Sequence, residues 1–206
     1  MRMKRVIMVV LVVVAGLNGA AQDQKMNAFI DQLMEKMTVE EKLGQMNLMP
    51  GTSATTGELK DSPLLELVAK GKLGTVLNQT GVESIRQLQD AARKSRLGIP
   101  VLVGMDVIHG YETIFPIPLA MSCSWDLTAI EQAARIAAKE ATADGICWTY
   151  SPMVDIALDA RWGRIAEGNG EDPFLGSRIA EALVKGYQGD YGPENMMACV
   201  KHYALY

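Results

Sequence analysis

Ionisable side chains in this sequence collect where short apolar runs end. Val101-Leu102-Val103-Gly104-Met105 runs into Asp106-Val107-Ile108-His109-Gly110. Ile146 to Val154 leads to Asp155 and then to Asp159-Ala160-Arg161-Trp162-Gly163-Arg164. Met196 to Val200 ends in Lys201-His202. A carboxylate, guanidinium groups, an ammonium and an imidazole on one rim suit a ligand rich in hydroxyls. Asp106 can accept from two vicinal hydroxyls, while Lys201 and Arg161 donate to ligand oxygens. Charge-assisted bonds of this kind contribute roughly 1.5–3 kcal/mol each. Asp106, Arg161, Lys201 and His202 are therefore the candidate ligand-binding residues. His109, next to Gly110, is expected to bridge backbone, and Arg164 to pair with Glu167, Glu171 or Asp172. Trp162 is read equally as an apolar plug or a stacking platform.

The elements that must hold this rim follow from periodicity. Phe29, Ile30, Leu33, Met34 and Met37 fall at helical spacing. Thr38-Val39-Glu40-Glu41 has the form of a capping box. Asp61-Ser62-Pro63 opens another helix and Gly71 closes it. Leu73 to Asn78 reads as a buried strand, Val82 to Ser95 as a helix with Ile85, Leu88 and Ala92 on one face, and Val101 to Met105 as a second strand. Asp126 caps a further helix that Gly145 ends, with Trp125 and Ile130 placed for a hydrophobic staple. Ile146 to Val154 contains a third strand, broken near Pro152. Asp172-Pro173 opens a helix to about Gly189, and Met196 to Val200 is a fourth strand. Short apolar strands alternating with helices predict parallel βαβ units. An open doubly wound sheet and an incomplete (β/α)8 barrel both fit this pattern. In either, ligands bind at the carboxyl ends of the strands. Two long connections, Val107–Trp125 and Ile156–Asp172, leave those ends, and long ordered loops are usually functional.

Composition narrows the choice of partner. The 206 residues are 49% hydrophobic and 21% charged, with a net charge of −4. That is a globular balance, and without a basic cluster beyond Arg5 it argues against nucleic acid. Met1-Arg2-Met3-Lys4-Arg5, the apolar run Val6 to Leu17 and Gly19-Ala20-Ala21 read as a secretory signal peptide over 1–21. The run falls short of the ~20 apolar residues a membrane span requires, so residues 22–206 are expected as a periplasmic or secreted domain without a membrane segment. The three cysteines, Cys123, Cys147 and Cys199, are scattered and read as buried small apolar residues. With two histidines and no CxxC there is no metal spacing, and no cofactor is implied. Glu167-Gly168-Asn169-Gly170-Glu171-Asp172 carries three acids and no lysine, which disqualifies it as a phosphate cradle. Met34, Met37, Met46 and Met49 are expected to pack in a core. The segment Val200 to Tyr206 has no polar, fraying character, which hints at a fragment.

Seven motifs occur in order: Thr38-Val39-Glu40-Glu41-Lys42-Leu43-Gly44-Gln45-Met46, Asp106-Val107-Ile108-His109-Gly110, Thr113-Ile114-Phe115-Pro116, Pro152-Met153-Val154-Asp155, Arg161-Trp162-Gly163-Arg164, Glu167 to Pro173, and Lys201-His202-Tyr203. Together they resemble the N-terminal barrel domain of family 3 glycoside hydrolases, and within that family the bacterial periplasmic β-glucosidases. The resemblance spans roughly Asn27 to Tyr206. It implies the N-terminal half of a (β/α)8 barrel and a retaining, exo-acting β-glycosidase that removes terminal β-D-glucosyl residues. It assigns sugar hydroxyls to Asp106, Arg161, Lys201 and His202. It also implies that the nucleophile and the acid/base lie beyond Tyr206, because retaining chemistry needs two carboxyl groups about 5–5.5 Å apart. No catalytic carboxylate is therefore assigned. Asp155 and Glu167 are read as orienting Arg161 and Arg164. Lys201-His202-Tyr203-Ala204-Leu205-Tyr206 departs from the His- and Gly-rich motif of the branch that removes N-acetylhexosamine.

Two functions follow. In the first, the chain is the N-terminal part of an exported β-glucosidase, its partners a β-glucoside and the missing C-terminal part of the same enzyme. In the second, it is a complete, non-catalytic sugar-binding or interaction module, whose last strand would leave an open edge to be covered.

Overall fold

A computed structural model describes residues 24–51 and 63–203, so the signal peptide expected over 1–21 and the Asp61-Ser62 helix start lie outside the described residues. The chain divides into two compact units, Met1–Leu43 and Gly44–Tyr206. In the first, a helix over 24–36 (α1) precedes α2 (Val39–Gln45), which runs across the division. The capping box forms: the Thr38 N–H donates to Glu41 Oε2 at 2.9 Å and the Glu41 N–H to Thr38 Oγ1 at 3.2 Å.

The second unit is a parallel sheet with helical connections. Its strands are β1 (Leu48–Pro50), β2 (Thr75–Leu77), β3 (Leu102–Met105) and β4 (Trp148–Thr149). Between them lie α3 (Leu64–Ala69), α4 (Val82–Lys94), α5 (Pro118–Ser122) and α6 (Leu127–Asp144), and α7 (Pro173–Gln188) follows. The sheet order is β1-β2-β3-β4, every neighbour parallel. A doubly wound sheet reverses direction at a switch point. Here each strand is laid beside its predecessor, as in a barrel. The fold is thus α/β, the N-terminal portion of a (β/α)8 barrel.

The strand expected over Met196–Val200 lies beside β4 as two isolated parallel bridges, Trp148 with Met197 and Met153 with Lys201. Pro152 has no N–H to give, so the ladder is interrupted between them. Single bonds still link the segments there, from Cys199 N–H to Ser151 O at 2.9 Å and from Lys201 N–H to Pro152 O at 3.0 Å, and Val154 N–H then donates to Lys201 O at 2.7 Å.

Two apolar clusters back the sheet. Leu64, Val68, Val76, Leu88, Ala92 and Val101 form one beneath α3 and α4. The larger sets Val103, Val107 and Ile146 against an alanine-lined face of α6 and against Ile179, Leu183 and Tyr187 of α7. Small residues let these two helices approach closely: a Cβ on Gly186 would lie 2.4 Å from Glu131 O and 2.6 Å from Ala134 Cβ. The caps read from the sequence are present. Asp126 accepts from Ala129 N, Asp172 accepts from Leu175 N, and Gly145 ends α6 at φ 99°.

Several expectations are corrected. The methionine stripe is not one face: Met46 lies past the end of α2 and Met49 lies in β1, where side chains alternate with period two. Met34 and Met46 are exposed and only Met37 is buried. Strand β1 escaped notice because it is three residues long and ends in proline. Trp125 stands three-quarters exposed, so it forms no staple with Ile130. Cys123 is exposed, its Sγ directed at Leu119 O, because it terminates α5 at the surface. Cys147 and Cys199 are partly buried.

Candidate active site

Asp106 is the first residue after β3, and the backbone beyond it is fixed from several sides. Val107 is fully buried. Its N–H donates to Thr149 Oγ1 at 3.2 Å, and its carbonyl accepts from the buried Tyr187 hydroxyl at 2.8 Å. Asp106 is thereby left at the rim with its side chain 43% exposed. Lys201, at the end of the extended segment on the far side of β4, reaches it with Nζ 3.1 Å from Asp106 Oδ1. The Lys201 side chain is only 16% exposed. A largely buried ammonium requires such a partner.

A second pair joins the next residue, His202, to Asp155 on the segment that follows β4. Asp155 Oδ2 accepts from His202 Nδ1 at 2.8 Å and from the His202 backbone N–H at 3.2 Å. The Asp155 side chain is 10% exposed. A third pair is bidentate: Arg164 Nε and Nη2 donate to Glu167 Oε1 and Oε2, each at 2.6 Å. The Arg164 hydrogen bond holds the Glu167 carboxyl below the usual carboxylate range. Burial opposes this, and the charges of Arg164, Lys201 and His202 reinforce it. Two carboxylate–cation pairs and one carboxylate–imidazole pair thus share one electrostatic neighbourhood. Asp155, read from the sequence as a partner for arginine, engages His202 instead.

Arg161 is placed differently. Its side chain is 90% exposed and folds back on Asp159, with Nε 2.9 Å from Oδ1 and Nη2 2.5 Å from Oδ2. Among the described residues, no hydrogen bond or ion pair joins it to Asp106, Lys201 or His202. His109 is a buttress. Its Nδ1 lies 3.1 Å from Phe115 O, and the Phe115 N–H returns to His109 O at 2.8 Å. With Met121, Leu183 and Tyr187 it lines a cavity of about 10 Å³, room for one water at most.

Two further residues near the rim were assigned no role from the sequence. Tyr150 lies with its ring 4.7 Å from that of Trp148. It packs so tightly on Gly104 that a Cβ there would lie 2.3 Å from its hydroxyl. Burial, then the charge of Asp106 and the two nearby thiols, pushes the phenol up to about 12. Its identity was hidden in an apolar run. Asn169 is buried and donates from Nδ2 to Met153 O at 3.3 Å. With the Ala157 N–H bonded to Gly170 O at 3.1 Å, it ties the Ile156–Asp172 connection to the end of the strand. Its sequence signal, the glycine-rich run, suggested phosphate and was set aside on charge. Among the described residues, no group of three or more His, Cys, Asp and Glu could hold a metal ion, and no helix is long and apolar enough to cross a membrane. Carboxylates beside fixed cations can receive hydroxyls and present donors to ligand oxygens.

Residues 38–206 match the family model described as "Glycosyl hydrolase family 3 N terminal domain". The chain is 40% identical over 183 residues to a periplasmic beta-glucosidase of Salmonella typhimurium, covering 87% of this chain and 23% of that protein. It is 34% identical over 151 residues to a beta-xylosidase of Formosa agariphila, covering 66% and 21%. In structure it resembles the beta-glucosidase of Listeria innocua crystallised with glucose, with TM-score 0.76, 39% identity, and coverage of 86% of this chain and 26% of that one. The chain therefore spans about a quarter of the length of these relatives.

Proposed function

The chain belongs to glycosyl hydrolase family 3 through its N-terminal domain, and on that premise we propose that it is the sugar-binding N-terminal part of an exported, retaining, exo-acting β-glycosidase of the β-glucosidase type. The observation that carries the reading is the Asp106–Lys201 pair, which joins the carboxyl ends of the two segments flanking β4, beside Asp155–His202. Asp106 accepts from two vicinal hydroxyls of the terminal glucosyl residue, and Lys201 and His202 contact its oxygens. Arg161 joins them once its guanidinium turns from Asp159. Arg164, Glu167, Asp155 and His109 hold the frame. The names borne by the relatives, β-glucosidase above all, favour glucose; the xylosidase among them shows that the sugar is a matter for experiment.

The same pairs argue that the reacting carboxylates lie elsewhere. Asp106 and Glu167 are each engaged by a cation, and Asp155 by the His202 ring and backbone N–H. A retaining enzyme needs one nucleophilic carboxylate and one protonated acid about 5–5.5 Å apart. We place both in the remaining length of a larger enzyme, which coverage of about a quarter of the relatives supports. Export through a signal peptide over 1–21 completes the reading, with the substrate met in the periplasm or outside the cell.

The test is hydrolysis by the full-length enzyme. 4-Nitrophenyl β-D-glucopyranoside should be cleaved, with β-glucose as the first product seen by proton NMR and single glucosyl units released from oligosaccharides. The exported protein should begin at Gln22. First release of α-glucose would exclude the retaining mechanism. Glucose binding with no hydrolysis would favour the sugar-binding module.

A further inference from the structure

We propose that Asp155 is a positioning residue for His202: it fixes the imidazole with its proton on Nδ1, so that Nε2 is the nitrogen that meets the ligand. The inference rests on the ligand role proposed above for His202. One carboxylate oxygen, Asp155 Oδ2, takes both the His202 backbone N–H and ring Nδ1. An ionised carboxylate has no proton to give, so at 2.8 Å the ring nitrogen is the donor. The backbone contact fixes where the residue sits and the ring contact fixes how it turns, so the two bonds leave the imidazole one orientation.

Burial makes the arrangement more than a surface pairing. With its side chain 10% exposed, Asp155 must find donors within the protein. The His202 side chain stays about a quarter exposed, so the ring remains within reach of a ligand. With Nδ1 carrying the proton, neutral Nε2 is an acceptor. It takes a hydrogen bond from a sugar hydroxyl, whereas the adjacent Lys201 ammonium can only donate. Two adjacent residues then read opposite polarities of the ligand, and Asp155 decides which polarity the second one reads. Removing the outer partner of a metal-bound imidazole typically costs about 10–100-fold, and a loss of that order is the expectation for this one.

The experiment uses the full-length enzyme with nitrogen-15-labelled histidine. The His202 signals are identified by their absence in His202→Gln. In the wild type, Nδ1 should show the protonated and Nε2 the unprotonated nitrogen shift at a pH where the ring is neutral. In Asp155→Asn the side-chain amide can instead donate to Nδ1. The tautomer should then switch, and kcat/KM for 4-nitrophenyl β-D-glucopyranoside should fall about 10–100-fold; Asp155→Glu should restore part of both. A wild-type proton on Nε2 overturns the proposal without any variant, even if Asp155→Asn fails to fold. An unchanged tautomer, or a fall of less than twofold, in a folded Asp155→Asn also overturns it. If the enzyme cleaves no β-glucoside but the tautomer behaves as described, the sugar reading fails while the hold of Asp155 on His202 stands.

Discussion

Asp106→Asn in the full-length enzyme separates ligand binding from folding most sharply. The amide keeps the shape of the carboxylate and loses its charge. In the folded protein the loss is mainly the 3.1 Å contact with Lys201. That pair is open on the Asp106 side, and the amide oxygen still faces the largely buried Lys201 ammonium, so the cost to stability is about 1–2 kcal/mol. In a protein of the relatives' length, melting should fall by no more than a few degrees. Ligand binding suffers more. A charged acceptor contributes about 1.5–3 kcal/mol per hydroxyl, and a neutral amide oxygen about 0.5–1.5. The net loss over two hydroxyls is then about 2–3 kcal/mol, roughly 30- to 160-fold in kcat/KM. The assay pairs steady-state hydrolysis of 4-nitrophenyl β-D-glucopyranoside with thermal melting followed by circular dichroism. A kcat/KM within threefold of wild type would refute the role given to Asp106. A melting point depressed far beyond this range would show that the residue serves the fold instead.

Two further perturbations test the frame. Arg164 holds the Glu167 carboxyl below its ordinary value, so the unfolded chain binds more protons near that value. The resulting stability is present above about pH 4.5 and is lost as pH falls through the folded-state pKa. Melting of the wild type between pH 3 and 7 should therefore decline more steeply at the acid end than that of Glu167→Gln; parallel curves would refute the coupling. Gly186→Ala places a methyl 2.4 Å from Glu131 O and 2.6 Å from Ala134 Cβ. Forcing α6 and α7 apart should cost about 1–3 kcal/mol, read as a melting loss of several degrees, and an unchanged melting point would mean that the helices yield freely.

What was legible in the sequence was whatever acts locally. The capping box at Thr38 and Glu41, the caps at Asp126 and Asp172, and the left-handed stop at Gly145 each depend on residues within a few positions of one another. The buried strands β2 and β3 announced themselves as apolar runs. Strand β1 did not, because Leu48-Met49-Pro50 is defined by its pairing with Thr75–Leu77 rather than by its own composition. The exposure of Trp125 and Met46 was illegible for the same reason: a periodicity says which residues share a face, and only the tertiary structure says whether anything covers it.

The rim follows the same division. That Asp106, Asp155 and Lys201-His202 end adjacent strands could be read from topology, since parallel strands bring their carboxyl ends together. Which acid takes which base could not. Asp106 meets Lys201 across 95 positions and Asp155 meets His202 across 47. Sequence neighbours did not settle it either: Arg164 pairs with Glu167 three positions on, whereas Arg161 turns back two positions to Asp159. Lys201 is held inward because its backbone is bonded on both sides, to Pro152 O and from Val154 N. The Arg161 guanidinium sits on a connection held at that point by local turns, Arg161 N–H to Asp159 Oδ1 and Trp162 N–H to Asp159 O. The residues at the rim are thus fixed in proportion to the strand hydrogen bonds beneath them. Asp106, Lys201 and His202 form the standing part of the proposed sugar site, and Arg161 is the part that must still move toward it.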